Sequence, residues 1–245
     1  MEADGPVVID RRFNGPTTSA NGGYAAGLLG RVFDGPAEVT LRTPPPLDTP
    51  LRILRGETTA ILTLATVPDD GTAIAEASAV PPPDVVPPVV PGVDAADRAA
   101  ARHPAIGVRH ALSDCVVCSP DRPDGFGLHT GPLADAPEVG AAVWRPDESL
   151  ADESGTLPPE VVWAALDCPG FTPSMWRRFL DSGALTLLGR LAVAIERPVA
   201  ASETLVAVGW PIDEDGRKRR TASALLTPGG ELVARAQATW IQLRG

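Results

Sequence analysis

The run Asn21-Gly22-Gly23-Tyr24-Ala25-Ala26-Gly27-Leu28-Leu29-Gly30 joins a polar, glycine-led turn to an apolar segment that has to be buried. Asn is a strong helix N-cap type. Two glycines behind it leave backbone N–H groups uncovered by side chains, where a carbonyl oxygen or an anion can approach. Tyr24, Leu28 and Leu29 fall at i, i+4 and i+5, the stripe of a buried helix. The run therefore predicts a central helix with its open end aimed at a ligand. An ordinary capped core helix is the other reading of the same ten residues.

The flanking sequence is β-rich. Val7 to Phe13 reads as a short strand, followed by the turn Asn14-Gly15-Pro16. Beyond Gly30 come an alternating strand over Ala37 to Arg42, a proline-rich corner and a strand over Leu51 to Arg55. Strands over Thr58 to Val67 and Ala73 to Val80 follow, with Asp69-Asp70-Gly71 as the turn between them. The pattern is one helix and then an antiparallel meander. Pro81 to Pro104 is rich in proline and poor in large side chains, so it reads as a linker that has room for one helical turn.

Past the linker the pattern repeats. Leu191 to Pro198, with Leu205 after it, matches Ala37 to Pro44, with Leu51 after it, and Gly230 to Ala238 matches Gly71 to Ala79. Shared spacing of this kind is a duplication signal, although two alternating strands can also match by chance. Both alternations bury alanines on one strand face, which calls for close approach of a helix to the sheet. In this alignment the partner of the first helix is Pro158 to Asp167. Prolines suit its first turn and Glu160 suits the dipole there. Thr172 to Leu188, with Trp176, Arg177, Arg178 and Phe179, has no counterpart in the first half and is placed to line or cover a pocket.

Composition narrows the function. A chain of 245 residues with 44% hydrophobic residues can bury a large core, in one domain or two. Its formal charge of −10 argues against a nucleic-acid or anionic-membrane surface, so an anionic substrate has to be met locally. No apolar run reaches membrane-spanning length, and Met1-Glu2-Ala3-Asp4 lacks the basic start of a signal peptide. Three cysteines, Cys115, Cys118 and Cys168, are too few for a disulfide scaffold. A cytoplasmic protein is the expectation.

The strand, the Asn-Gly-Gly turn, the long helix and the meander resemble the hotdog fold, and in particular the acyl-CoA thioesterases of the phenylacetate-pathway type. The helix of that family opens with His-Gly-Gly and carries an acid nine positions after the His. Cys115-Val116-Val117-Cys118-Ser119-Pro120-Asp121-Arg122-Pro123-Asp124-Gly125-Phe126-Gly127-Leu128 resembles the Cys-x-x-Cys-Gly-Pro-x-x-Pro-x-Gly-Leu lead-in of many single-domain members. The resemblance implies an α+β chain of two tandem hotdog units, each a long central helix wrapped by an antiparallel sheet, forming a pseudo-dimeric double hotdog. The first unit is expected at 1–80, the linker at 81–104 and the second unit at 105–245, with its insertion at about 171–188.

The family pattern is split between the halves. Asn21 stands at the His position, Gly22 and Gly23 match the paired glycines, and the acidic position falls on Gly30. In the second half Pro158, Pro159 and Glu160 replace the turn, while Asp167 falls on the acidic position. The dimeric relatives pair the glycine turn of one subunit with the carboxylate of the other. That geometry implies one site, with Gly22 and Gly23 polarising a thioester carbonyl and Asp167 as base or nucleophile. Asn21 would cap the helix or position water, and the reciprocal pair Pro159 and Gly30 would be inert.

The substrate implied is an acyl-CoA or another acyl thioester, with coenzyme A as part of the substrate and no separate cofactor. Tyr24, Trp163 and Trp176 are candidates for contact with the acyl group, and Arg219, in the basic run Arg217-Lys218-Arg219-Arg220, for contact with the phosphates. A solvated hairpin turn is the plain reading of that run. For Asp167 the plain reading is a helix-end acid or the cap of the next turn. Cys115 and Cys118 lack a second ligand pair, and the resemblance makes them a structural lead-in rather than a metal site. The histidines, His103, His110 and His129, lie away from both helices in sequence, which disfavours a hotdog dehydratase. A noncatalytic acyl-CoA binder is the competing function, and a homodimer of double hotdogs is a further expectation.

Overall fold

The computed structural model describes residues 2–3, 5–66 and 72–243. The chain begins with two short strands, β1 (Glu2–Ala3) and β2 (Val7–Val8). The strand expected to continue to Phe13 stops early, because the Asp10 side chain accepts from the Arg12 N–H and starts a 3-10 turn over Arg11–Phe13. Helix α1 covers Gly22–Gly30, as the glycine-led run predicts. Strands β3 (Ala37–Leu41), β4 (Pro50–Arg55), β5 (Thr59–Leu64) and β6 (Ala75–Ala79) form the meander. Val67, the Asp69-Asp70-Gly71 turn and the Gly71 that opens the first copy of the repeat lie outside the described residues.

The proline-rich segment is more than a linker with one turn. Helix α2 (Val93–Ala100) has two full turns and buries Ala96 and Ala99. It packs on the outer sheet face, beside Val206, Val208, Ala222, Ala224 and Leu226. Proline density masked an alanine pair at i and i+3, which is enough to seat a short helix on a sheet.

The second half carries β7 (Gly131–Pro132), β8 (Gly140–Trp144), helix α3 (Pro159–Asp167) and helix α4 (Pro173–Ser182). Four long strands follow: β9 (Thr186–Ile195), β10 (Leu205–Asp215), β11 (Lys218–Leu226) and β12 (Leu232–Gln242). All ladders are antiparallel, and the sheet order is β1-β4-β5-β6-β3-β9-β12-β11-β10-β8-β7, with β2 also on β4. Around the β3–β9 junction the order is a palindrome, β4-β5-β6-β3 facing β9-β12-β11-β10. Glu38 pairs with Ala192 there, flanked by Ala37 with Val193 and Val39 with Leu191. These are the positions the internal repeat equates, so a local two-fold runs through the junction.

Alternation decides which side each residue serves. Leu205 and Ala207 face the core that holds α1 and α3, whereas Val206 and Val208 face the layer under α2. This is why β10 reads as a continuous apolar run rather than an alternating strand.

The two central helices lie antiparallel in contact, and glycine makes the contact close. Gly23, Gly27 and Gly30 form one stripe of α1. A Cβ at Gly27 would stand 2.6 Å from the Glu160 Cα, and one at Gly30 2.6 Å from the Trp163 ring. The glycines of α1 therefore serve helix packing as well as the open turn.

Candidate active site

The site is built where the start of α1 meets the end of α3. Asn21 caps α1: its Oδ1 accepts from the Tyr24 N–H at 2.8 Å. Its Nδ2 donates to Asp167 Oδ2 at 3.0 Å, and the Gly23 backbone N–H donates to the same oxygen at 2.9 Å. A carboxylate at a helix C-terminus opposes that helix's dipole, and here the N-terminus of the neighbouring helix offsets it. Asp167 is only 3% exposed. Burial pushes its carboxyl up to about 7, against the Gly23 and Asn21 hydrogen bonds, which hold it down. Its second oxygen, Oδ1, is buried with no partner among the described residues.

The surroundings fix this geometry. Ser223 Oγ on β11 donates to the Leu166 carbonyl at 2.6 Å, tying the last turn of α3 to the sheet. The turn Cys168–Gly170 can press onto β10 because position 209 is glycine, where a Cβ would lie 1.8 Å from the Pro169 carbonyl oxygen. The Cys115 loop is stitched to the N-terminal segment by Val116 N–H to the Asn14 carbonyl at 2.9 Å. Arg122 adds bonds to the Asp114 carbonyl at 2.8 Å and the Arg12 carbonyl at 2.7 Å, together with one to the Asn14 side chain. Nothing in the sequence marked Ser223, Gly209 or Arg122, because each acts on a residue far away along the chain.

A cavity of about 370 Å³ opens at this junction. Asn21, Gly22 and Asp167 line it, with Phe171, Trp176, Leu188 and Trp240 supplying apolar wall. Among the described residues, the Gly22 N–H makes no hydrogen bond, so it is the open donor at the cavity, while Gly23 is committed to Asp167. Of the expected contact residues, Trp176 lines the cavity and three others do not. Tyr24 stacks on Phe13 with ring centroids 4.0 Å apart, and burial first, then the Glu160 charge, push its phenol up to about 12. Trp163 is wedged between the helices over Gly30. Arg219 is buried, bonded to the Gly216 and Lys218 carbonyls and paired with Glu214 at 3.2 Å.

The inserted segment does contribute wall, through Phe171, Trp176, Thr186, Leu187 and Leu188. His103 and His110, remote in sequence, converge edge-on around Trp176 at 4.8 and 5.2 Å, and His129 packs on His103 at 5.8 Å. Burial holds His103 down near 4, neutral at physiological pH. Cys115, Cys118 and Cys168 also reach the cavity. Cys168 directly follows Asp167, so the assignment of Asp167 was itself a signal for it.

At the reciprocal end of the helix pair the buried Glu160 also has an oxygen, Oε2, without a partner among the described residues, but it does not line this cavity. Glu160 is buried and pairs with Arg31 at 2.6 Å, and Trp163 covers Gly30.

A second cleft of about 650 Å³ runs along the β3–β9 junction and shares Leu41, Arg42, Gly189 and Ile241 with the cavity. Four cations, Arg42, Arg190, Lys218 and Arg220, line it against two carboxylates, Glu38 and Asp215. Three of these cations are ion-paired, Arg42 with Glu76 at 2.5 Å, Arg190 with Glu38 at 3.3 Å and Arg220 with Asp213 at 2.7 Å, and Arg219 of the basic run pairs with Glu214.

No protein-family model matches the chain, and no curated protein matches its sequence. Solved structures do match. A candidate thioesterase from Novosphingobium aromaticivorans aligns with TM-score 0.60 and 13% identity, over 98% of this chain and 95% of that one. Acyl-CoA thioesterase II TesB2 from Mycobacterium marinum aligns with TM-score 0.54 and 16% identity, over 93% and 90%. A protein of unknown function with the hotdog fold from Alicyclobacillus acidocaldarius aligns with TM-score 0.50 and 14% identity, over 98% and 93%. The chain thus has the fold of hotdog and thioesterase proteins. Among the described residues no helix is long and apolar enough to cross a membrane.

Proposed function

We propose that the chain is two hotdog units fused in tandem, 1–80 and 105–245 joined by 81–104, and that it hydrolyses an acyl-CoA thioester at one site shared between them. The palindromic strand order and the antiparallel helix pair support the duplication. A fused pair of this kind can still associate into a homodimer of double hotdogs. Three adjacent thiols stay reduced in the cytoplasm, where acyl-CoA substrates are met, and the acidic surface disfavours nucleic acid and membrane.

The observation that carries the reading is the state of Asp167. One oxygen is held by Asn21 and Gly23, and the other is buried, unpartnered and part of a cavity-lining side chain. In the reaction Oδ1 takes a proton from water, the water oxygen attacks the thioester carbonyl carbon, and the C–S bond breaks to release the coenzyme A thiolate, which is then protonated. The Gly22 N–H, with the α1 dipole behind it, stabilises the oxyanion, a donor worth about 3–4 kcal/mol in such sites. The aromatic wall takes the acyl group, and the basic cleft takes the phosphates. The opposite end of the helix pair, filled by Trp163 and the Arg31–Glu160 pair, is inert.

One observation favours the noncatalytic acyl-CoA binder instead: Asp167 occupies the Gly23 N–H, one of the two donors expected for the carbonyl. Turnover of an acyl-CoA panel by the wild type and by Asp167→Asn separates the two. Hydrolysis requires a fall of about 10²–10⁴-fold in a variant that still folds cooperatively. Wild-type rates in Asp167→Asn refute the mechanism, and coenzyme A thioester binding without turnover establishes the binder.

A further inference from the structure

The CxxC pair becomes a different object once folded. Cys115 and Cys118 sit on the lead-in loop and Cys168 on the turn that ends α3, yet the three Sγ atoms lie within 4.8 Å of one another. Cys115 and Cys168 are 3.7 Å apart. In a tetrahedral zinc site with Zn–S bonds of about 2.3 Å, sulfur atoms stand about 3.8 Å apart. One edge of such a site is therefore already formed, and the others close with small side-chain rotations.

One side-chain amide faces two of the three sulfurs. Asn21 Nδ2 lies 4.0 Å from Cys115 Sγ and 3.9 Å from Cys168 Sγ. N–H donors to ligand sulfur orient and tune metal–thiolate sites. All three cysteines border the cavity, so a fourth position has room for water, beside Asp167 with its unpartnered oxygen.

We propose that Cys115, Cys118 and Cys168 form a Zn²⁺ site of three thiolates whose fourth position opens into the cavity. Binding exchanges three thiol protons for the ion, so affinity rises with pH. The site does not depend on thioester hydrolysis, and the two readings fail separately. Zn²⁺ can bind a chain that turns nothing over, and hydrolysis by the metal-free chain leaves the thiolate site untouched.

The test uses the full, reduced chain stripped of metal and titrated with Zn²⁺ against a chromophoric chelator. One ion per chain is expected, and Co²⁺ in its place should give intense sulfur-to-cobalt charge-transfer absorption. Cys168→Ser should weaken Zn²⁺ binding by more than about tenfold, the loss that even an outer-shell change produces, and should reduce the charge-transfer intensity. Because a serine at the end of α3 can disturb folding, a second measurement needs no variant: Zn²⁺ should slow alkylation of the half-buried Cys168 in the wild type. Binding below one equivalent, unchanged affinity in folded Cys168→Ser, or unprotected alkylation of Cys168 overturns the proposal.

Discussion

The Gly23 backbone N–H donates to Asp167 Oδ2 at 2.9 Å, across 144 positions of sequence. This bond joins the positive end of α1 to the negative end of α3. It converts two ordinary helix termini into one polarised junction, and it leaves the other carboxylate oxygen without a partner among the described residues.

The pH dependence of hydrolysis follows from the environment of Asp167. The carboxylate must be ionised to act as base, and burial places its pKa at about 7. The value of kcat/KM should therefore rise about tenfold per pH unit below 7 and level off above it. Rates that are flat from pH 5 to 8 would exclude Asp167 as the base.

The same burial costs stability, with a definite sign. A carboxyl at about 7 in the folded chain and 3.8 unfolded keeps its proton longer in the native state. The native state thus binds more protons between about pH 4 and 7, and stability falls as pH rises through that window. The loss attributable to Asp167 is of order 4 kcal/mol and is complete above pH 7. Asp167→Asn should flatten this part of the profile, read as melting temperature between pH 4 and 8. An Asn variant with the wild-type slope refutes the assignment.

Gly27→Ala tests the helix contact. In an exposed helix this change gains about 1 kcal/mol. Here the new Cβ would meet the Glu160 Cα at 2.6 Å and the Trp163 Cβ at 2.7 Å, so the helices must separate. A net loss of about 1–3 kcal/mol is expected in chemical denaturation, as for an overpacked core. A stabilised variant would mean that the helices are not in close contact.

Charge reversal in the cleft separates phosphate recognition from chemistry. Lys218→Glu with Arg220→Glu removes two of the four cations beside the cavity. KM for a coenzyme A thioester should rise about tenfold or more, with kcat nearly unchanged and the effect shrinking at high salt. A short acyl thioester lacking phosphates should be indifferent to the change. Equal loss on both substrates would remove the cleft from the binding site.

The sequence by itself determined the main elements. The Asn-Gly-Gly start of α1, the proline start of α3 and the paired alanine alternations of β6 and β12 are local rules of capping and periodicity, so neighbouring residues suffice to read them. The repeat equated the two helices, and the resemblance to dimeric hotdog thioesterases then implied that Asp167 stands opposite the glycine turn. What only the tertiary structure decided are the relations between remote segments. The Val7 strand ended early because one Asp10 hydrogen bond outweighed a weak β preference. The proline-rich segment became a covering helix because it had an outer sheet face to bury. Gly22 and Gly23 took different work, although adjacent in sequence, because Asp167 claims only one of their amides. Arg219 and Trp163 were drawn into packing, and Cys168 was brought to Cys115 and Cys118 across a gap of about 50 residues. Hydrogen bonds and side-chain contacts act over a few ångströms of space, and chain distance records that space only within an element.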